Sequence, residues 1–306
     1  MQNRQIKQIR LFSPICYIYV IIIISIMEHA AMTLNDKYKN LLSLVKSYGK
    51  AAVAFSGGVD SSFLCRVCFD VLGTSSAAIT IVSAMNPRSE IEESKDIASR
   101  IGIKHYLITD DIEDPEILRN PPDRCYHCKK MEFSHISAKA AEIGIDIVLD
   151  GSNYDDLSDY RPGRKALEEL GIKSPLREAC LTKLEIRELS KTAGLPTWDK
   201  PAYACLASRI PYGENITKEK LLRVEKSESF LRKIGFIQFR VRSHGEIARI
   251  EISPEERFKI LDLKKMDEIS AVLKSFGFIY VALELEGYKT GSLNRVLKGG
   301  SLRAKN

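Results

Sequence analysis

One stretch, Ser56-Gly57-Gly58-Val59-Asp60-Ser61-Ser62, constrains this chain more than any other. Before it, Lys50 to Phe55 is short and apolar and reads as a buried strand. After it, Phe63 to Leu72 reads as a helix closed by Gly73. A strand, a Gly-Gly turn and a helix N-terminus make an anion cradle. The glycines let the backbone approach closely, and the unpaired amides of the first helical turn point at bound phosphate. Ser61 and Ser62 add hydroxyl donors, and Asp60 can reach a magnesium ion beside the phosphates. No lysine follows the glycines, which excludes the Walker loop with its Gly-Lys-Ser/Thr ending. The competing reading of a bare Gly-Gly turn is a tight junction with a serine cap.

Around this loop, strands and helices alternate. A second strand is expected over Ala77–Ser83, then a helix carrying Ile91, Ile97, Ala98 and Ile101 and ending at Gly102. A third strand follows over Lys104–Thr109, a helix over Lys129–Glu142 and a strand over Ile145–Leu149 that runs into Asp150-Gly151-Ser152-Asn153. Helices over 165–170 and 183–193 come next. Such alternation implies a Rossmann-like α/β fold with a parallel sheet and ligands at the carboxyl edge of its strands. After Pro211-Tyr212-Gly213-Glu214 the pattern changes. Thr217 can cap a helix running to Ile234, two strands (237–242 and 247–252) flank Ser243-His244-Gly245-Glu246, and a last strand covers 278–285. The expected division is residues 32–211 as a nucleotide domain and 212–306 as a smaller α+β domain for substrate binding or oligomerisation.

Residues 1–31 stand apart. Leu11 to Met27 is almost wholly apolar behind Arg4, Lys7 and Arg10, as in a signal anchor. Pro14 interrupts it, and Met27 and Met32 both follow it. An over-extended start, with a cytoplasmic protein beginning at Met27 or Met32, is the favoured expectation, and a membrane tether through 11–27 the alternative. Net charge over the 306 residues is +6, with no long basic run, so no nucleic-acid partner is expected. The seven cysteines are scattered and do not resemble a disulfide framework, which points to a reducing compartment.

Cys125-Tyr126-His127-Cys128 is a Cys-x-x-Cys expected in a loop entering a helix, suited to a metal, an iron–sulfur cluster or a redox pair. Lys129 and Lys130 would favour thiolate there. A four-cysteine zinc site would need a second pair of similar spacing in a loop. Cys205 stands in Lys200-Pro201-Ala202-Tyr203-Ala204-Cys205-Leu206-Ala207-Ser208-Arg209, with Arg209 expected to act on its sulfur. Cys65 and Cys68 lie among Phe63, Leu64 and Val67 and read as small core residues. Cys180 has no evident partner, and Cys16 belongs to the N-terminal stretch. Arg240 and Arg242 share one strand face, and a hairpin of the right register would add Arg249 and Glu251 to it. A solvated charged face is the plain alternative.

The loop string resembles the PP-loop of the ATP pyrophosphatases, which cut ATP between the α and β phosphates and adenylate a substrate. Taken with Asp150–Asn153, the Cys205–Arg209 string and Arg240-Val241-Arg242 with Arg249-Ile250-Glu251, the pattern is similar to one narrower family. These are the sulfur transferases that mature the nickel-pincer cofactor of lactate racemase. The resemblance covers residue 33 to the C-terminus. It implies adenylation of pyridinium-3,5-biscarboxylic acid mononucleotide, release of pyrophosphate and exchange of the activated oxygen for sulfur.

It further implies roles for individual residues. ATP with Mg2+ would sit over Ser56, Gly57, Gly58, Asp60, Ser61 and Ser62. The anionic mononucleotide would meet Ser208, Arg209, Glu228, Arg240, Arg242 and Glu251. The family has two chemical forms. One sacrifices the sulfur of a single cysteine at the position of Cys205; the other holds a 4Fe-4S cluster, with an extra sulfide, on three cysteines. Cys125 and Cys128 beside Cys205 put this chain with the cluster form. Sulfide or a cysteine desulfurase would resupply it, and a homo-oligomer is expected. The rival readings are a tRNA thiolase, a nucleotide-binding module without turnover and an amidating ligase of the same loop class.

Overall fold

The computed structural model describes residues 32–157, 163–201, 205–289 and 291–294. The N-terminal stretch 1–31, with its tether reading and Cys16, lies outside them, as do Ala202, Tyr203 and Ala204. Among the described residues no helix is long and apolar enough to cross a membrane.

The chain enters through helix α1 (Leu34–Tyr48), started by a capping box in which Thr33 and Asp36 satisfy each other's backbone amides. Strand β1 (Ala51–Ala54), helix α2 (Val59–Leu72), strand β2 (Ser76–Val82), helix α3 (Arg88–Ile101) and strand β3 (Lys104–Thr109) then alternate. The short α4 (Pro115–Leu118), the long α5 (Arg124–Glu142) and strand β4 (Val148–Leu149) complete a four-stranded parallel sheet of order β3-β2-β1-β4. This is the expected Rossmann-like core. Side chains alternate across the sheet: Ala51, Val53, Ala78 and Leu149 pack one way, and Ala52, Ala77, Ile79, Ile81 and Val148 the other. The first layer is closed by α1, α2 and α3 and the second by α5. Each fully buried Leu, Ile or Phe contributes about 1.5–3 kcal/mol.

Three short helices follow: α6 (Gly163–Glu169), α7 (Pro175–Glu178) and α8 (Lys183–Thr192), the last begun by a Thr182–Glu185 capping box. Beyond them, α9 (Lys218–Lys233) starts on the Thr217 cap, as expected. Strands β5 (Phe239–His244) and β6 (Ile247–Ile252) form an antiparallel hairpin whose turn is Gly245-Glu246, with Gly245 at φ +56°. Helix α10 (Leu263–Ser275) then crosses over to β7 (Tyr280–Leu283), which pairs with β6 in parallel. This second sheet has its own core, including Leu231, Phe236, Phe239, Ile250, Leu273 and Phe278.

Two boundaries differ from the sequence expectation in ways that matter for chemistry. Helix α5 begins at Arg124 rather than Lys129, so Cys125 and Cys128 sit in its opening turns, one turn apart and on one side. The Arg124 amide already closes on the Pro121 carbonyl at 3.0 Å, which starts the helical path early. Strand β4 keeps only two of the five expected residues, because only Ala52 and Val53 of β1 offer it a ladder.

Candidate active site

The phosphate loop leaves β1 at Phe55 and turns through Gly57, whose φ of +69° suits glycine. A Cβ at Gly57 would stand 3.2 Å from Ser94 Cβ, so the turn is also sterically closed to side chains. Gly58 caps α2 without a side-chain bond to the helix amides. Ser61 Oγ accepts from the Ser56 amide at 3.3 Å and lies 3.1 Å from Ser56 Oγ. The Ser62 hydroxyl is buried without a hydrogen-bond partner. Asp60 presents Oδ2 to Lys183 Nζ at 2.7 Å and to Asn153 Nδ2 at 3.3 Å, while its Oδ1 is buried and unbonded. A carboxylate with one open oxygen beside an amide cradle fits a hard cation such as Mg2+. Gly151, in the expected turn after β4, packs so closely that a Cβ would meet the Ser61 amide at 3.1 Å.

Cys125 and Cys205 stand beside Arg124, and Cys128, one helical turn from Cys125, also faces Cys205. Cys125 Sγ lies 3.8 Å from the Arg124 guanidinium, and that guanidinium also donates to the Ala207 carbonyl, two residues past Cys205, at 3.1 Å. Cys128 and Cys205 both pack against the apolar cluster of Met85, Ile117 and Leu206. Three soft sulfur donors from two segments fit an iron–sulfur cluster, which is larger than a single ion. Among the described residues no group of three ligands converges tightly enough for one metal ion.

One expectation about these thiols is corrected. Lys130 turns to Glu169 at 3.2 Å and Lys129 to Glu132 at 3.5 Å. Burial, with Glu132 beside it, pushes the Cys128 thiol up rather than down. Arg209 is committed to Glu228 and bonds the Cys205 carbonyl at 3.2 Å, and it keeps the expected electrostatic contact with the Cys205 thiol; Arg124 is a second cation beside the sulfurs.

The arginine face forms in the register that the sequence required. Arg240 stands opposite Glu251 and Arg242 opposite Arg249. Glu251 accepts from Arg242 and Arg249, each at 2.9 Å, and Arg249 also meets Glu284 at 2.5 Å. Arg209, only 2 % exposed, forks onto Glu228 with both contacts at 2.9 Å, and its Nη1 donates to Ser208 Oγ at 2.9 Å. Glu228 also accepts from the Val241 amide at 3.0 Å, and the Arg209 guanidinium outweighs burial to hold its carboxyl below the usual range. Arg240 stacks on Tyr288 with its guanidinium carbon 5.1 Å from the ring centre. The solvated-face alternative fails, because Arg240, Arg242 and Glu251 are all buried.

Lys200 and residues 205–209 tie these clusters together. Lys200 Nζ donates to the Gly57 carbonyl at 3.0 Å and pairs with Glu93 at 2.5 Å; the Leu206 amide donates to the Met85 carbonyl at 2.9 Å. Sequence reasoning missed four participants. Lys183, Asn120, Arg124 and Glu90 reveal themselves only as contacts, although Arg124 directly precedes the Cys-x-x-Cys. Glu90, in the first turn of α3, is pushed up to about 7 by burial, which Lys200 and Arg209 offset only in part.

Known proteins match this amino-acid sequence over most of its length. An uncharacterized protein of Synechocystis is 45% identical over 86% of this chain and 99% of its own length. The pyridinium-3,5-bisthiocarboxylic acid mononucleotide synthase of Lactiplantibacillus plantarum is 38% identical over 88% of this chain and 98% of its own. The chain belongs to that synthase family. Membership makes it an enzyme of the ATP-using PP-loop superfamily and a transferase. A tRNA-specific 2-thiouridylase of Azorhizobium caulinodans is a more distant relative, 28% identical over 59% of this chain and 56% of its own. No family model matches the chain.

Proposed function

We propose that this member of the synthase family is an ATP-dependent sulfur transferase acting on pyridinium-3,5-biscarboxylic acid mononucleotide. The observation that carries the proposal is the joining, through Lys200 and residues 205–209, of an anion-cradling loop, three cysteines and a buried arginine–glutamate face. In this reading, Ser56, Gly57, Gly58, Ser61 and Ser62 receive the phosphates of ATP, and Asp60 holds Mg2+ through its open oxygen. Lys183 leaves Asp60 for the phosphate anion. Ser208, Arg209, Arg240 and Arg242 bind the phosphate and carboxylates of the mononucleotide, which guanidinium forks suit. Glu228 and Glu251 keep those forks aimed.

Held there, the substrate carboxylate attacks the α-phosphate and pyrophosphate leaves. Adenylation turns a poor leaving group into a good one, and a sulfur nucleophile then displaces AMP to leave a thiocarboxylate. A 4Fe-4S cluster on Cys125, Cys128 and Cys205 would supply, when bound, an iron with an open position for a transferable sulfide. The Cys205 sulfur itself is the alternative donor. The working site is the cytoplasm, the assembly a homo-oligomer, and residues 212–306 the substrate-binding domain.

The test is anaerobic purification with iron and sulfide analysis, then incubation with ATP, Mg2+ and the mononucleotide. Pyrophosphate and a thiocarboxylate should appear together, over several turnovers when sulfide is supplied, and Cys125→Ala should abolish repeated turnover. Pyrophosphate without thiocarboxylate would overturn the sulfur-transfer reading. A single turnover that leaves dehydroalanine at position 205 would overturn the cluster in favour of the sacrificial cysteine.

A further inference from the structure

Arg124 is only 2 % exposed, yet among the described residues it makes no ion pair with a carboxylate. Its Nη1 donates to Asn120 Oδ1 at 2.5 Å and to the Ala207 carbonyl at 3.1 Å; its Nη2 reaches Cys125 Sγ at 3.8 Å. It also faces the Tyr212 ring, 6.0 Å from the guanidinium carbon. Two other buried arginines of the site differ: Arg209 has Glu228 and Arg242 has Glu251. A guanidinium taken out of water against neutral partners alone is costly, and the cost disappears when an anion arrives. The groups beside it that can carry negative charge are Cys205, Cys125 and Tyr212. Two of these are sulfurs that chemistry needs.

The anchoring is built in. Asn120 is fully buried in the left-handed region at φ +55°, and its amide nitrogen donates to the Ile210 and Pro211 carbonyls at 3.1 and 2.7 Å. One asparagine therefore fixes the guanidinium and the cysteine-bearing turn against each other.

We propose that Arg124 forms a sulfur-anion subsite, a fixed positive charge that receives a thiolate or hydrosulfide between Cys125 and Cys205. Its place in turnover rests on the sulfur-transfer reading above; its charge preference is a property of the ligand-free protein. Arg124 is a positioning residue, orienting the sulfur nucleophile rather than reacting.

The experiment uses the full chain, reduced and free of iron, in about 0.15 M salt, where the field of the overall net charge is screened. Alkylation of Cys205 is timed by peptide mass spectrometry with iodoacetate, which is anionic, and with iodoacetamide, which is neutral. Both reagents consume the same thiolate, so the ratio of their rates cancels its population and reports local charge. Relative to 2-mercaptoethanol the wild-type ratio should be raised about tenfold. Arg124→Lys should keep most of the preference and Arg124→Gln should lose it.

A merely structural role would change both rates together. A wild-type ratio equal to that of 2-mercaptoethanol overturns the proposal without any variant, and so does an Arg124→Gln chain that keeps the preference. Added hydrosulfide slows carboxymethylation if the subsite takes a free sulfur anion; it leaves the rate unchanged if the anion is the protein's own thiolate. A chain with the charge preference that makes no thiocarboxylate would sink the sulfur-transfer reading and leave the subsite standing. Thiocarboxylate formation without the preference would do the reverse.

Discussion

Glu228 and Glu90 are two carboxylates near one guanidinium, Arg209, with opposite fates. Glu228 is forked by Arg209 and accepts a backbone amide, so it remains ionised. Glu228→Gln leaves Arg209 as an uncompensated buried charge and should cost about 3–5 kcal/mol in urea denaturation at pH 7. Replacing both, Arg209→Met with Glu228→Leu, should recover much of that stability without recovering activity. Recovery of neither would mean that the pair is needed for folding itself. Glu90 has its pKa raised from 4.5 to about 7. The unfolded chain loses this proton near the ordinary value while the folded chain keeps it, so the group draws stability down as pH rises from 4.5 to 7. Glu90→Gln should therefore stabilise the protein by about 1–2 kcal/mol at pH 8, allowing for partial exposure, and do nothing at pH 4. Thermal melts at the two pH values decide it.

At the scale of elements, the start of α5 is the part on which the site depends. Asn120, Arg124 and the two cysteines are one continuous stretch, and Gly213 donates back to the Asn120 carbonyl at 2.9 Å. Asn120→Ala removes two buried bonds to carbonyls and places an alanine at φ +55°; a loss of about 2–4 kcal/mol is expected. Asn120→Gly keeps the backbone at ease and should be less damaging by about 1 kcal/mol. Equal losses in denaturant would show that the left-handed backbone contributes nothing. The hairpin is the second element at stake. Its two-residue turn sets the ladder that places Arg240 and Arg242 on the face with Arg249 and Glu251, and a slip of one residue would dismantle the face.

Over the whole molecule, the phosphate loop and the arginine face belong to different sheets with separate cores. A ligand that binds the folded loop should stabilise the protein by mass action, about 2.7 kcal/mol at a concentration one hundred times its dissociation constant. ATP with Mg2+ is expected to raise the melting temperature, and EDTA to reduce that rise. In Asp60→Asn the response to ATP should persist but lose its dependence on Mg2+, while Gly57→Ala should abolish it. An ATP response in Gly57→Ala equal to that of the wild type would refute the placement of phosphates over this turn.

Read from sequence alone, the order of strands and helices through residue 109, the phosphate loop and the shared face of Arg240 and Arg242 were all legible. Each depends on neighbours close along the chain: period-two alternation, glycine at a left-handed turn, a helix cap. The start of α5 was not legible, because Pro121 and Pro122 obscure a helix that the Arg124 amide nonetheless begins. Nor could Arg124 be told from any other arginine. Its tie to Asn120 and its reach to Cys125 are local, but its burial without a carboxylate and its bond to the Ala207 carbonyl beside Cys205 arise only when segments 83 residues apart are packed together. Local pattern determined the Ser56–Ser62 turn and the strand and helix that hold it. Tertiary packing decided what stands beside the sulfur, because charge balance in a buried site is set by the groups enclosing it rather than by those adjacent in sequence.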